Sequence, residues 1–357
     1  MPIKVLVVDD SALMRALLTE IISGAPDLEV VGAAPDPMVA REMIKSLNPD
    51  VLTLDVEMPR MDGLEFLDRL MRLRPMPVIM ISSLTAAGSE VTLKALELGA
   101  VDFLPKPRAD NISMLQSYGE EIRDKIRVAA GAQVKSAPRI ARQAAPAAAP
   151  PKAAFSPRLL QDTVIAIGAS TGGTEAIKDV LTALPAEMPP IVMVQHMPET
   201  FTPSFARRLD SLSRLTVIEA QGGERLQPGT AYLAPGNSHM RVRKSARGLV
   251  LELSQDDPVN RHRPSADVLF WSVAELARKS SLGVILTGMG KDGAKGLLAM
   301  RQAGAWNLGQ DQASCVVYGM PREAAEIGAL DEVASLQSIP ERILSRLRAL
   351  DNASVRN

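Results

Sequence analysis

The residues of this chain whose types and spacing suit chemistry form two sets. One centres on Ser170 in IAIGASTGG, residues 165–173, where an apolar run of β type stops in a loop of glycines and hydroxyls. A serine at such a strand end acts as a nucleophile only beside a base and an orienting acid. The same glycines could instead cradle a phosphate on backbone N–H groups. The loop satisfies G-x-S-x-G through Gly168, Ser170 and Gly172, the pattern of a strained turn that exposes a serine hydroxyl. A dinucleotide fingerprint fits less well: Gly168 and Gly173 fill its outer positions, but Ser170 takes the middle one, where backbone must approach a pyrophosphate. Nor does an acid end the next strand, PIVMVQHMP, which closes in His196. With three histidines in the chain, the choice of base is short. His196 shares the rim of Ser170 if the sheet is parallel, whereas His239 in PGNSHMRVRK and His262 in NRHRPSAD lie in less regular, more polar surroundings. Asp292, in LGVILTGMGKDGAKG, ends another buried strand and is the candidate acid; a helix N-cap or a second phosphate loop is its alternative reading. Gly288, Gly290 and Gly293 there leave backbone N–H groups for part of an oxyanion site. Ser, His and Asp on three strand ends point to acyl transfer.

The second set lies in the first third of the chain. Asp9 and Asp10 close the apolar run IKVLVV, Asp55 closes a later one, Ser83 follows PVIMIS, and Lys106 follows VDFLP. Open α/β sheets gather ligands at the carboxyl ends of their strands, so these side chains would share one rim. Three carboxylates there repel, and a hard cation such as Mg²⁺ would neutralise them. Mg²⁺ and a nearby ammonium are also what phosphoryl transfer to a carboxylate needs, because charge accumulates on the transferring oxygens. A lone strand-end Asp is an ordinary solvated turn former; suitable residues on four strand ends indicate a site.

The elements that must position these residues are legible as alternating patterns. IKVLVV reads as a parallel strand buried on both faces, Ser11 as an N-cap, and SALMRALLTEII as a helix. LEVVGAA, DVLTLDV, PVIMIS and VDFLPK supply four more strands, with helical patterns between them. Residues 128–157 contain no Asp or Glu and are dominated by Ala, Pro and scattered basic residues. Such a segment cannot bury enough apolar area to offset its ordering entropy and reads as a linker, with VAAGAQV at most extending the preceding helix. The fold class expected is therefore α/β: two doubly wound, mostly parallel domains, flavodoxin-like over 1–127 and Rossmann-like over 158–350. Forty basic residues balance forty-one acidic ones, so no global charge points to nucleic acid or a membrane surface. Aromatics, at 3%, are too few for a base-stacking surface. Cys315, the single cysteine, excludes an intrachain disulfide and a Cys zinc cluster, and its apolar neighbours mark a buried structural thiol. The N-terminus enters a strand at once without a signal peptide, and no apolar run is long enough to span a bilayer, so a cytoplasmic protein without membrane insertion is expected.

Two resemblances follow from these motifs. VVDDSALMR, TLDVEMPRMDG, ISSLT and VDFLPKP resemble the receiver domain of two-component response regulators over nearly all of residues 1–125. That resemblance implies that Asp55 accepts a phosphoryl group, that Asp9 and Asp10 hold Mg²⁺ with it, and that Ser83 and Lys106 contact the phosphoryl group. It implies too that Phe103 is the aromatic switch, and that a cis bond stands at Pro107 or before it. AIGASTGG, VQHMP, AYLAPGNSHM, NRHRPSADVLF and VILTGMGKDG resemble the catalytic domain of the chemotaxis protein-glutamate methylesterase (CheB) family over about residues 162–345. This second resemblance implies Ser170 as nucleophile, His196 as base and Asp292 as orienting acid, with Thr171 and Met289 supporting the oxyanion or the loops. It implies hydrolysis of glutamyl γ-methyl esters and deamidation of glutamines on methyl-accepting chemoreceptors, without a cofactor for the esterase. A histidine kinase of the chemotaxis system would be the phosphodonor, and phosphorylation at Asp55 would open access to the triad. Two other readings compete: a phosphorylation-controlled interaction module with an inert second half, and a nucleotide-binding output domain.

Overall fold

A computed structural model describes residues 1–58, 62–83, 85–107, 112–134, 155–246, 248–276 and 280–355. These residues fall into two compact units, one within 1–142 and one within 143–357. In the first, the apolar runs become the strands β1 (Ile3–Val8), β2 (Leu28–Ala34), β3 (Val51–Asp55), β4 (Val78–Ser82) and β5 (Asp102–Pro105), of which β3 and β4 are buried on both faces while the edge strand β2 is only partly covered. They pair in parallel in the order β2-β1-β3-β4-β5. Helices α1 (Ala12–Ser23), α2 (Pro37–Leu47), α3 (Gly63–Leu73), α4 (Ala86–Glu97) and α5 (Ile112–Ala130) make the crossovers and complete the unit. Ser11 caps α1 as its sequence suggests, accepting from the Met14 N–H. The order reverses between β1 and β3, so Asp9 and Asp55, at the ends of those two strands, flank the crevice where such sheets bind ligands.

Helix α5 takes up Val128–Ala130, and α6 (Pro157–Asp162) opens the second unit behind the N-cap Ser156. Of the segment read as a linker, residues 135–154 lie outside the described residues.

The second unit begins in the middle of its own sheet. Strand β6 (Val164–Ala169) is followed by α7 (Gly173–Ala183), β7 (Ile191–Gln195), α8 (Thr202–Leu212), β8 (Thr216–Glu219) and β9 (Thr230–Leu233). A hairpin of β10 (His239–Ser245) and β11 (Gly248–Ser254) precedes α9 (Ala266–Leu276). The chain then returns to the other edge of β6 as β12 (Ser281–Ile285) and continues through α10 (Ala294–Gln302), β13 (Trp306–Gln310), α11 (Met320–Glu326), β14 (Glu332–Ala334) and α12 (Ile339–Val355). The seven main strands are parallel in the order β14-β13-β12-β6-β7-β9-β8. Val164 and Ala166 of β6 share a core with Val192 and Val194 of β7, Leu269, Phe270 and Val273 of α9, Leu297 and Met300 of α10, and Met240 and Val242 of the hairpin. The order reverses between β6 and β12, which sets the crevice of this unit beside Ser170. Among the described residues, no helix is long and apolar enough to cross a membrane. The cis peptide bond they contain is Arg263–Pro264, in the second unit, and the bond expected at Pro107 or before it is not cis.

Candidate functional site

Ser170 directly follows β6, and Gly172 enters α7 at φ +77°, a conformation that spares glycine the steric penalty of a side chain. The Ser170 N–H donates to the Thr287 carbonyl (3.1 Å), and the Thr287 hydroxyl donates to the Thr171 carbonyl (3.0 Å). The loops after β6 and β12 are thereby interlocked. The register of β6 on β7 pairs Ala169 with Gln195, so Ser170 and His196 are the next residues beyond the sheet on adjacent strands. Gln195 ties the two together: its Nε2 donates to the Ser170 carbonyl (2.9 Å) and to the His196 carbonyl (3.2 Å).

His196, with 7% of its side chain exposed, contacts the Asp292 Oδ2 through Nε2 at 2.8 Å, while its buried Nδ1 has no hydrogen-bond partner among the described residues. Asp292 is 1% exposed and accepts from the Ser265 hydroxyl (2.7 Å), Asn260 Nδ2 (2.8 Å), and the Ala266 (2.6 Å) and Asp267 (3.3 Å) N–H groups. Burial alone would raise its pKa. The hydrogen bonds from His196, Ser265 and Asn260 outweigh burial and hold the carboxyl well below the usual carboxylate range. The positive end of α9, where Ala266 and Asp267 lie, works in the same direction. The N-cap reading of Asp292 is thus half right: it caps α9, a helix earlier in the chain, and not the α10 that follows it. An ionised carboxylate only accepts, so His196 carries its proton on Nε2 and keeps a lone pair on Nδ1. Among the described residues no hydrogen bond joins the Ser170 hydroxyl to His196, a gap common where catalytic contacts tighten only around substrate.

The supporting positions differ from expectation in one respect. The Gly288 N–H is not open to an oxyanion, because it donates to the Val317 carbonyl (3.1 Å), and the Gly293 N–H bonds the Asp267 carboxylate. Half-buried Met289 and exposed Gly290 are the parts of this loop at the rim. Thr171 is buried. Gly288 matters through its size: a Cβ there would fall 2.8 Å from the Ser170 Cβ and 3.0 Å from its N, and would also meet the Met320 sulfur. Gly288→Ala is expected to cost about 1–3 kcal/mol of stability, the usual range for overpacking, and to lower turnover by displacing Ser170. Thermal unfolding and ester hydrolysis measured on one preparation check both.

Several contributors escaped the sequence reading. His262 stacks on His196 with ring centroids 3.8 Å apart, and Asn260, Ser265 and Gln195 hold the acid or the two loops. The dense polar run NRHRPSAD was a signal, but its target lies 32 positions further on for Asn260. His239 is a structural histidine: it is fully buried, its Nδ1 accepts the Ser265 N–H (3.2 Å), and its Nε2 donates to the Asp257 carbonyl (3.0 Å). Cys315 is buried and its thiol is pushed up to about 12 by burial and the charge of Asp311, as befits an inert core group.

In the first unit, Asp9, Asp10 and Asp55 each bring a carboxylate oxygen within 4.8 Å of the others. Lys106 Nζ lies 2.7 Å from the Asp55 Oδ2 and 3.8 Å from the Asp9 Oδ2. Burial, reinforced by the charge of Asp9, pushes the Asp55 carboxyl up to about 6 against the opposing pull of Lys106. Among the described residues the buried Asp9 Oδ2 has no hydrogen-bond partner, which suits an oxygen that faces a cation. Arg15 Nη1 holds the Asp9 and Asp10 carbonyls (2.8 and 3.0 Å), fixing the acidic pair at the end of β1. Ser83 stands at the same rim, but its hydroxyl donates to the Glu57 Oε1 (3.1 Å), and Asp55 is not its partner. Phe103 is buried on β5, with Lys125 Nζ 5.9 Å from its ring centre.

Comparison with known proteins gives the following. The family model described as CheB methylesterase matches residues 165–343, and the one described as response regulator receiver domain matches residues 5–116. The protein-glutamate methylesterase/protein-glutamine glutaminase 1 of Dechloromonas aromatica (strain RCB) is 61% identical over 353 residues, covering 98% of this chain and all of that protein. The protein-glutamate methylesterase/protein-glutamine glutaminase of Nitrosomonas europaea is 60% identical over 354 residues, 99% of each chain. Among solved structures, the Thermotoga maritima CheB methylesterase catalytic domain is 41% identical, with a TM-score of 0.50, covering 51% of this chain and 97% of that one.

Proposed function

The chain belongs to the CheB methylesterase family, and from that premise we propose that Ser170, His196 and Asp292 carry its chemistry. It is a protein-glutamate methylesterase and protein-glutamine glutaminase whose receiver domain places it under phosphorylation control. Its substrates are chemoreceptors, and its receiver is served by a kinase.

The observation that carries the assignment is the His196–Asp292 pair, which leaves Nδ1 as the free basic atom on the rim of Ser170. His196 Nδ1 takes the Ser170 proton as Oγ attacks the γ-carbonyl carbon of the methyl glutamate. The tetrahedral oxyanion forms against the N-terminus of α7 and the Met289 loop, with Thr171 fixing the first of these. Collapse expels the alkoxide, which leaves as methanol with the proton from Nδ1. Water, deprotonated by the same nitrogen, then frees Ser170 and leaves glutamate. A glutamine side chain follows the same path, with ammonia as the leaving group.

In the receiver, Asp55 is the phosphoacceptor, and Asp9, Asp10 and Asp55 would hold Mg²⁺. The cation would supply charge neutralisation for the transferring oxygens. Lys106 holds the Asp55 carboxylate and is placed to pair with the phosphoryl group; Ser83 must leave Glu57 to reach it, and Phe103 is the buried group read here as the switch. A histidine kinase of the chemotaxis system is the donor, methyl-accepting receptors are the substrate, and the cytoplasm is the compartment. We assign 1–127 to the receiver, 128–157 to the linker and 158–350 to the esterase.

A serine-reactive phosphonate or sulfonyl fluoride tests the nucleophile. It should label the intact chain at Ser170 and leave Ser170→Ala unmarked. Equal labelling of both at another residue would overturn the assignment.

A further inference from the structure

The sequence VNRH, residues 259–262, is a reverse turn closed by two backbone hydrogen bonds, Val259 N–H to His262 O (3.1 Å) and His262 N–H to Val259 O (2.9 Å). Its central residues, Asn260 and Arg261, both have positive φ, 52° and 67°. Two such values in succession are what a type I′ turn requires, and asparagine tolerates them far better than arginine does. A non-glycine residue held there is a strain that the surroundings must enforce, and it invites a search for what the turn delivers.

It delivers two side chains to the two ends of one pair. The Asn260 Nδ2 lies 2.8 Å from the Asp292 Oδ1 and 2.8 Å from the Asp267 Oδ2, so the two amide hydrogens are shared between two buried carboxylates. The His262 ring lies on the His196 ring with an interplanar angle of 14°. The carboxylates themselves are cross-connected. Asp292, just before α10, caps α9, whereas Asp267, in the first turn of α9, accepts from the Gly296 N–H (2.6 Å) of α10. Without the amide between them, two like charges would face each other across this crossing in a buried setting.

We propose that the turn 259–262 is a clamp on the His196–Asp292 pair, with Asn260 as its positioning residue. Resting on the triad assignment above, the clamp holds the Asp292 carboxylate in the rotation that accepts from Nε2, and so keeps the Nδ1 lone pair of His196 directed to Ser170. The Asn260 amide bonds Asp292 and Asp267, and it acts on His196 through Asp292. His262 holds the plane of the imidazole by stacking.

The test uses the full chain, with methanol release from methylated receptors and the rate of Ser170 sulfonylation as readouts. Asn260→Gly keeps the positive φ and removes the amide. It should lower kcat about 10- to 100-fold, the range that follows from losing a hydrogen bond to a charged group, with KM changed less than twofold. Sulfonylation should slow by a similar factor, because it needs the base but not the receptor. Asn260→Asp, which keeps the shape of the side chain and adds a third carboxylate, should fall further. A purely structural role would lower the unfolding temperature of both variants while leaving sulfonylation at its normal rate well below that temperature, and that result overturns the clamp. Asp292→Asn, run in parallel, separates the two layers. Full activity in that variant removes the triad assignment itself, whereas its collapse beside an unimpaired Asn260→Gly and Asn260→Asp removes the clamp alone.

Discussion

Replacing Ser170 or His196 by alanine should lower kcat for methyl-ester hydrolysis by about 10⁴- to 10⁶-fold, and the double variant should be little slower than either single one. Triad members act as a unit, so the first removal takes nearly all that the group supplies. The geometry sharpens the expectation for His196. Its Nδ1 has no hydrogen-bond partner among the described residues, so removing the ring removes the one atom of the triad placed to take the Ser170 proton. Asp292 is a different case. Alanine there strips the acceptor from Ser265, Asn260 and the first N–H groups of α9, so the variant should lose stability as well as rate, and its rate should fall less than that of Ser170→Ala. Methanol release followed together with thermal unfolding distinguishes the two losses. A Ser170→Ala enzyme with near-normal turnover would remove the serine mechanism.

Asp55→Asn should abolish phosphoryl labelling from a small phosphodonor, and chelation of divalent cations should do the same to the unaltered chain. The warrant is local: the Lys106 ammonium sits on the Asp55 oxygen, and Asp9 presents a buried oxygen with no hydrogen-bond partner among the described residues. Asp9→Asn should therefore weaken cation affinity, shifting half-maximal labelling to higher Mg²⁺, while Asp55→Asn leaves nothing to titrate. In the unaltered chain the phosphodonor should raise methanol release; in Asp55→Asn it should have no effect. Labelling that survives acid and persists in Asp55→Asn would contradict the assignment.

Much of the frame was legible because burial on both faces forces continuous apolar runs, as in IKVLVV and TVIAIGA, and because chemistry collects where those runs stop. Asp9, Asp55, His196 and Ser170 were found by that rule. Strands such as β8, whose outward residues are exposed, and β14, only three residues long, carry no such run and were not read. Asn260 was invisible for another reason. Its role depends on a left-handed turn and on two carboxylates that only the packing of α9 against α10 brings together, and nothing in local spacing encodes that meeting. The oxyanion reading of Gly288 failed similarly, since its N–H is taken by Val317, a residue from a distant loop.

Strand β6, placed between β7 and β12, also governs when the enzyme can first exist during synthesis. Ser170 and His196 emerge from the ribosome close together, but Asp292 follows His196 by 96 positions. Until β12 arrives, one edge of β6 is open, and the base has no anion to fix its tautomer. Closing so long a loop costs entropy before any contact repays it, which makes this pairing a late event in the contact order of the chain. A nascent or truncated chain ending before β12 is therefore an open-edged sheet prone to association. The strand that closes this edge of β6 and the acid that orients His196 therefore arrive together, Asp292 following β12 directly in the chain.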